Sequence, residues 1–290
     1  MIRINKPFEA LFGSCNFCDF WRADGATVKQ NSEGSRATVV LTRNGQTFFL
    51  KRHFGVGWGE IVKNLLSLKW PVVSARNEYH ALRDLPQHGI RTARWAAYGW
   101  DGLSPATRRS FILMEGLAHV DSLENLAPGW LAGPSPIGVT ARRALIRAVG
   151  RLARQLHDSG RVHQDFYICH MLAQGRQAVP VDSPAEIDLV LIDLHRAQRR
   201  CHCRRRPFVK DLAALAFSCM DLPLSQRDLF CFAKSYTGLD QRRDAIPKRR
   251  REWARVLTRA TRLYERVHGK PPAEQPWPRV ASASLGDKQA

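Results

Sequence analysis

The sequence predicts an α+β protein in two lobes, a small strand-rich one followed by a larger helical one. Three stretches carry that prediction. Asn44-Gly45, set between two runs of β-forming residues, is a hairpin turn. Ser110-Phe111-Ile112-Leu113-Met114-Glu115-Gly116-Leu117 reads as a strand running into a flexible link, which puts the lobe boundary near Glu115 to Ala118. Thr140 to Ser159 then forms a long amphipathic helix. Strands gathered ahead of helices, without alternating with them, are the α+β pattern.

The hairpin joins Arg36-Ala37-Thr38-Val39-Val40-Leu41 to Thr47-Phe48-Phe49-Leu50-Lys51-Arg52, because Asn and Gly both tolerate the positive φ of a type I′ turn. With a period of two, Phe49, Lys51 and His53 share one strand face. A lysine there is either a solvated edge residue or a cation that grips phosphate. Trp58 to Leu68 reads as an insertion-like helical segment closed by Pro71. A second helix is expected from Ser74 through Leu85, capped by Ser74, with Ala75, Tyr79 and Leu82 near one face. Glu78 is its only acid before the last turn. Pro128 to Gly138 is rich in Pro and Gly and reads as a connection. Along Thr140–Ser159, Leu145, Val149, Leu152 and Leu156 make the apolar stripe, arginines fill the other face, and Gly160 suits the C′ position. A further helix begins at Lys210, and its Asp211 lies among apolar residues, so it makes hydrogen bonds and does not face water. Beyond Asp221 the chain reads helical, with a basic run at Lys248-Arg249-Arg250-Arg251 suited to an anionic membrane surface. The last stretch is rich in Pro, Ala and Ser and reads as loose. The expected division is 1–116, 117–269 and a tail at 270–290.

A chain of 290 residues suffices for one large or two small cores. Hydrophobic content of 44% and charged content of 24% are those of a folded protein and exclude a disordered one. The net charge of +19 favours anionic partners, whether nucleic acid, nucleotide phosphates, phosphorylated sugars or an acidic membrane face, and does not choose among them. No apolar run reaches the roughly 18 to 20 residues that span a bilayer. The start, Met1 to Pro7, lacks the apolar region of a signal peptide. A cytosolic protein is expected, peripheral to a membrane at most. The seven cysteines are odd in number and scattered, against a disulfide framework. Cys15-x-x-Cys18 and Cys201-His202-Cys203 lack the paired spacing of a zinc site, so reduced, metal-free cysteines are expected.

The chemistry concentrates in Val162-His163-Gln164-Asp165-Phe166-Tyr167-Ile168-Cys169-His170 and, downstream, Leu191-Ile192-Asp193-Leu194-His195. A His-x-Asp turn, then an Asp after a short apolar run, is how one fold class places two carboxylates at ATP. The first accepts the proton of the attacking hydroxyl and the second holds Mg²⁺ against the phosphates. Either motif alone is short enough to occur without function. The order strengthens them: a helix delivers the chain to His163 and Asp165, and a strand then leads to Asp193.

Longer strings make the chain resemble the lipopolysaccharide Kdo/heptose kinases, and within them the core heptose(I) kinases. These are Gly45-Gln46-x-Phe48-Phe49-Leu50-Lys51, Gly57-Trp58-Gly59-Glu60-Ile61-Val62-Lys63-Asn64-Leu65-Leu66, Pro71-Val72 with Asn77-Glu78, Asp165-x-Tyr167-Ile168-Cys169-His170, Ile192-Asp193-Leu194-His195-Arg196-Ala197-Gln198 and Lys210-Asp211-Leu212. The resemblance runs from about Lys6 to beyond Ser225. It implies a two-lobed protein-kinase-like fold and ATP-dependent phosphorylation, with Mg²⁺, of the first heptose of the lipopolysaccharide inner core at O4. The setting it implies is the cytoplasmic side of a Gram-negative inner membrane. Position by position, Lys51 would bind phosphates and Glu78 would pair with it. Glu115 and Leu117, in the link, would meet the adenine. Asp165 would be the base, and Asp193 and His170 would face the metal. Acyl carrier protein enters as a further partner, and nucleic acid is not expected.

His170 stands where protein kinases put their second metal-binding Asn, a feature shared by the heptose kinases. Gln164 replaces the arginine of His-Arg-Asp, and Leu194-His195 replaces Phe-Gly, so a mobile Phe switch is not expected. Glu33-Gly34-Ser35 is the only trace of a glycine-rich loop, which puts more of the phosphate contact on Lys51, Arg36 and metal. Arg199, Arg204, Arg205 and Arg206 follow Asp193 where an acceptor would lie. They are either a solvated basic loop or guanidinium contacts to the carboxylates and phosphates of the inner core. Two rivals stay open: a kinase for another acceptor (Kdo, another heptose or protein tyrosine), and a non-catalytic anion- or nucleic-acid-binding module. The latter lacks a helix-turn-helix, RRM or zinc-finger pattern and leaves Lys51, Glu78, Asp165 and Asp193 unexplained.

Overall fold

The computed structural model describes residues 1–30, 35–66, 73–132, 137–174, 187–200, 206–238 and 250–273. The chain forms two compact units, Met1–Ala118 with Ile192–Gln198, and His119–Leu191 with Arg199–Ala290.

The first unit is built on an antiparallel six-stranded sheet. Its strands are β1 (Ile2–Ile4), β2 (Ala26–Gln30), β3 (Arg36–Arg43), β4 (Gln46–His53) and, after the two-residue β5 (Arg91–Thr92), β6 (Trp95–Asp101) and β7 (Arg109–Glu115). The spatial order is β1-β6-β7-β4-β3-β2. The β3–β4 hairpin closes at Asn44 (φ 48°) and Gly45 (φ 74°), with Arg43 opposite Gln46. One face of the sheet carries Phe48 and Leu50 of β4, Phe111 and Leu113 of β7 and Ala97 of β6. It is buried against Phe8, Phe12 and Phe20 of the N-terminal turns and helices α1 (Glu9–Phe12) and α2 (Phe17–Arg22). The other face presents Lys51, Ile112 and Tyr98 as one cross-strand row. Helix α4 (Arg76–Asp84), which follows α3 (Gly57–Leu66), packs on that face, with Tyr79 stacked on Tyr98 at 4.2 Å and edge-on to Trp95 at 5.1 Å. Such aromatic pairs add about 0.5–1.5 kcal/mol each beyond their area.

The start of α4 differs from expectation. Its N-cap is Ala75, which has no capping side chain. Ser74 lies one residue outside, where its hydroxyl accepts the Arg76 N–H at 3.4 Å, and the buried Ser110 hydroxyl of β7 accepts the Ala75 N–H at 3.0 Å. The helix start is thus served by a local hydroxyl and by one 35 positions away.

The second unit is helical. Strands β8 (Val120–Ser122), β10 (Met171–Gln174) and β11 (Val190–Leu191) form a small antiparallel sheet with β10 central, and β9 (Arg161–Val162) precedes the loop that bears Asp165. The helices are α5 (Leu123–Ala132), α6 (Val139–Asp158), α7 (Arg206–Ser218), α8 (Gln226–Thr237) and α9 (Arg250–His268). Where the sequence suggested a connection from Pro128, α5 runs through it to Ala132. Leu123, Ala127, Trp130 and Leu131 recur at helical spacing and are buried, and that packing outweighs the proline's missing N–H. Helix α7 starts at Arg206, four residues before Lys210. Lys248, Arg249 and the chain after Ala273 lie outside the described residues. Among the described residues no helix is long and apolar enough to cross a membrane.

Helices α6 and α8 touch so closely at Gly150 that a Cβ there would lie 2.7 Å from the Ser235 Cβ. They are also tied by Arg142, whose guanidinium reaches Asp228 at 2.5 Å, while Ser225 and Asp228 form the capping box of α8. Burial disfavours the Asp228 carboxylate, but the bonds from Arg142 and Ser225 outweigh that and hold its pKa below the ordinary value. The contribution is therefore present above about pH 3.9 and lost as pH falls through the folded value. We expect Arg142→Ala to cost up to about 3 kcal/mol. In urea titrations from pH 7 to 3, Asp228→Asn should lose less stability with acid than wild type; equal slopes would refute the assignment.

Candidate active site

In the first unit, Lys51 Nζ lies 2.7 Å from Glu78 Oε1 and 3.3 Å from Asp193 Oδ1. The sheet and α4 explain the first contact, since Lys51 projects from a central strand toward the helix packed on that face. Glu78 is buried to 1%, whereas Lys51 and Asp193 keep 24% and 29% of their side-chain exposure. Glu78 Oε2 is buried and makes no hydrogen bond. Burial alone would lower the Lys51 pKa, but the charges and hydrogen bonds of Glu78 and Asp193 outweigh it and raise the pKa above its ordinary value.

Asp193 sits in the left-handed region (φ 58°), which Asp tolerates better than most residues, and opens a short 3₁₀ turn over Leu194–Arg196. Leu194 is fully buried and anchors that turn. His195 Nδ1 lies 2.7 Å from Asp193 Oδ1. A carboxylate accepts only, so this nitrogen carries the proton. No role for His195 follows from sequence pattern, although its two-residue spacing from Asp193 is visible there. His53 was also unassigned. Burial first, then Arg36, Lys51 and His195, lower its pKa to about 3, so it is neutral and adds no charge beside Lys51.

Glu115 has its side chain gripped bidentately by Arg94 at 2.6 and 2.8 Å, and its N–H donates to the Arg94 carbonyl. Any ligand contact at Glu115 therefore falls to the rest of its backbone. Gly116 and Leu117 follow β7. The Gly116 N–H donates to the Thr47 carbonyl at 2.7 Å, and a Cβ on Gly116 would lie 3.0 Å from that oxygen.

In the second unit, the loop after β9 carries Asp165, with its side chain half-buried. The Asp165 carbonyl takes the Tyr167 N–H at 2.9 Å and faces His170 Nδ1 at 2.7 Å. The acceptor there is a carbonyl, so Nδ1 carries the proton, which leaves Nε2 as the nitrogen through which this imidazole would ligate a metal. Asp211 is fully buried and accepts the N–H groups of His163 (2.6 Å) and Gln164 (2.8 Å), the hydrogen bonding its apolar surroundings required. Gln164 has φ +73°, so these bonds hold a strained residue immediately before Asp165. His157 lies against Asp211 at 3.5 Å through Nε2 and against the Tyr236 hydroxyl at 2.9 Å through Nδ1. Sequence spacing gave no sign of that pair, because it depends on α6 meeting α8.

The donor set fits Mg²⁺, which is usually held by one or two carboxylates with phosphate and water completing the shell. Asp193 supplies a partly exposed carboxylate. Among the described residues no group of three or more His, Cys, Asp or Glu could hold a metal ion, and Cys15 and Cys18 are free thiols. Arg199 and Arg206 are exposed, and Arg36 lies opposite His53. Glu33, Gly34, Cys201, His202, Cys203, Arg204 and Arg205 lie outside the described residues.

The second unit also contains a cavity of about 380 Å³ with an almost wholly apolar wall from α5, α6, α7, α8 and α9, including Leu131, Val149, Leu215, Phe232 and Trp253. Desolvation there pushes the Cys219 thiol up to about 12.

The lipopolysaccharide kinase (Kdo/WaaP) family model matches residues 18–236. The chain is 38% identical over 267 residues to the lipopolysaccharide core heptose(I) kinase WaaP of Pseudomonas aeruginosa, spanning 91% of this chain and 96% of that protein. To the enzyme of the same name from Escherichia coli K12 it is 37% identical over 248 residues, spanning 84% and 89%. A solved structure described as WaaP in complex with acyl carrier protein aligns with a TM-score of 0.74 at 31% identity, over 91% of this chain and all of that one.

Replacing Lys51 by Met strands a buried carboxylate, so a loss of about 3–5 kcal/mol is expected, much of it recovered in the Lys51→Met/Glu78→Gln double variant. The Lys51 pKa is raised in the folded state, so the pair stabilises fully below about pH 10.4 and fades as pH rises through the folded value. Denaturation of wild type and both variants between pH 7 and 11 checks this; a gap that does not narrow at alkaline pH contradicts it.

Proposed function

From the premise that the chain belongs to the lipopolysaccharide kinase (Kdo/WaaP) family, which adopts a two-lobed protein-kinase-like fold, we propose that it transfers the γ-phosphoryl group of ATP to heptose I of the lipopolysaccharide inner core. The observation that carries this reading is the Lys51–Glu78–Asp193 constellation. It gives a phosphate-binding cation held by a buried acid and a carboxylate suited to a metal. Phosphoryl transfer asks little covalent chemistry of a protein and much alignment and charge neutralisation. Lys51 binds phosphate oxygens with its ammonium steered by Glu78. Asp193 is the carboxylate, and His170 the imidazole, that we assign to Mg²⁺, which when bound neutralises charge on the phosphates. Asp165 accepts the proton of the attacking heptose hydroxyl, and Glu115 and Leu117 offer backbone groups to adenine. Arg199 and Arg206, with Arg204 and Arg205, are cations suited to the carboxylates and phosphates of the acceptor. A heptose acceptor places the enzyme at the cytoplasmic face of the inner membrane, bound peripherally.

Acyl carrier protein is a partner in this reading. Such carriers are acidic, which suits a chain of net charge +19. Their cargo is an acyl chain, which suits the largely apolar cavity of the second unit.

Two experiments test the proposal. Transfer of ³²P from labelled ATP to dephosphorylated heptose-containing lipopolysaccharide should fall by about 10²–10⁴ in Asp165→Ala, with folding intact. Absence of transfer by folded wild type to a competent acceptor would overturn the reading. Native mass spectrometry of the protein purified with acyl carrier protein should show the acylated form retained over the unacylated one. Ala216→Phe, which fills the cavity, should abolish that preference, and an unchanged preference would refute the assignment of the acyl chain to this cavity.

A further inference from the structure

Helix α3 turns an apolar row outward. Trp58, Val62 and Leu66, spaced i, i+4, i+8, lie on one stripe and are exposed to 61%, 50% and 81%, while Ile61, about a quarter-turn away, is buried. An amphipathic helix of a soluble domain normally does the reverse. The feature extends beyond the helix. The Gly57 N–H at its start donates to the Ala106 carbonyl at 3.0 Å, which ties α3 to the turn between β6 and β7. The tip of that turn is Leu103, exposed to 90%. Arg108 braces the tip by donating to the carbonyls of Gly102 (3.2 Å) and Leu103 (2.9 Å) and lies over the Trp100 ring at 5.1 Å. Arg109 lies over Trp21 at 5.5 Å, beside the half-exposed Phe54. Arg108 thus borders Leu103, and the exposed Lys63 follows Val62 on α3. The nearby acid Asp101 is neutralised by Arg109 at 2.8 Å.

We propose that α3 and the β6–β7 turn form a membrane-docking face that inserts Trp58, Val62, Leu66 and Leu103 at the headgroup boundary of an anionic bilayer. Apolar side chains including tryptophan, bordered by arginine and lysine, are what such a boundary accommodates, because the rings and aliphatic groups enter the acyl edge while the cations meet phosphates. The net charge of +19 supplies the long-range attraction that a row of four side chains needs as its second signal. The inference stands on exposure and charge and not on the identity of the acceptor.

The test uses the full chain, vesicles of phosphatidylcholine with one quarter phosphatidylglycerol, and vesicles of phosphatidylcholine alone. Wild type should cosediment with the anionic vesicles, and Val62→Ser/Leu66→Ser/Leu103→Ser should lower its partition coefficient at least tenfold. Brominated lipid should quench wild-type fluorescence more than that of Trp58→Phe. Phosphorylation of a delipidated, water-soluble inner-core oligosaccharide should be unchanged in the triple variant. Failure of wild type on that soluble substrate would count against the kinase reading and leave the vesicle result standing. Wild type remaining in the supernatant, equal binding by the triple variant, or a dimer in sedimentation equilibrium that the triple variant dissolves would each overturn the proposal.

Discussion

A carboxylate with 1% of its surface exposed must have a cation, and at Glu78 that cation is Lys51. Much of the first unit can be derived from this requirement. Lys51 stands on β4, with β3 and β7 on either side, so its backbone cannot shift without breaking two strand ladders. Glu78 stands on α4, fixed by Tyr79 against Tyr98 and by Ser110 at its first turn. Neither partner can move to relax the pair, so the ammonium is fixed in place by the core. Asp193 comes to the same ammonium at 3.3 Å, with His195 steadying its carboxylate. An interaction of doubtful net value to stability thereby becomes a preorganised cation beside a metal-suited carboxylate.

The second unit solves a similar problem with hydrogen bonds. Gln164 adopts a left-handed conformation that a non-glycine residue resists, and two backbone N–H groups there would otherwise be buried without acceptors. Asp211 accepts both. His157 packs against the arrangement, with Nε2 3.5 Å from Asp211 and Nδ1 2.9 Å from the Tyr236 hydroxyl. The backbone just before Asp165 is thus held by Asp211 of α7, with His157 of α6 and Tyr236 of α8 beside it.

Features encoded over a few residues were legible in the sequence. Asn44-Gly45 fixes its own turn, the α6 stripe repeats at the helical period, and period-two alternation placed Lys51 and His53 on one face. The family resemblance then paired Lys51 with Glu78 across 27 positions, which no local pattern could do. What escaped depends on distant packing. The Ser110 hydroxyl joins Ser74 at the start of α4 because the β7 strand arrives there, and Pro128 is carried within α5 by four buried apolar neighbours. Tyr236 reaches His157 only because Gly150 lets α8 approach α6. The outward row of α3 was hidden for a further reason, since periodicity shows that a stripe exists but not which way it faces.

The departures from the protein-kinase pattern acquire a common physical meaning. Regulated kinases order an activation loop by pairing a phosphorylated side chain with arginine, and they move a phenylalanine to withdraw the metal-binding aspartate. Here Gln164 carries no charge to meet a phosphate, and Leu194 is fully buried. Asp193 is further held by His195 and Lys51. Withdrawing it would break an ion pair, break a hydrogen bond to a histidine and expose a leucine. Under the roles proposed for these residues, that cost keeps the metal carboxylate in its competent position. Control of its activity then falls to access to substrate, and for a lipid-linked acceptor access is decided at the membrane surface.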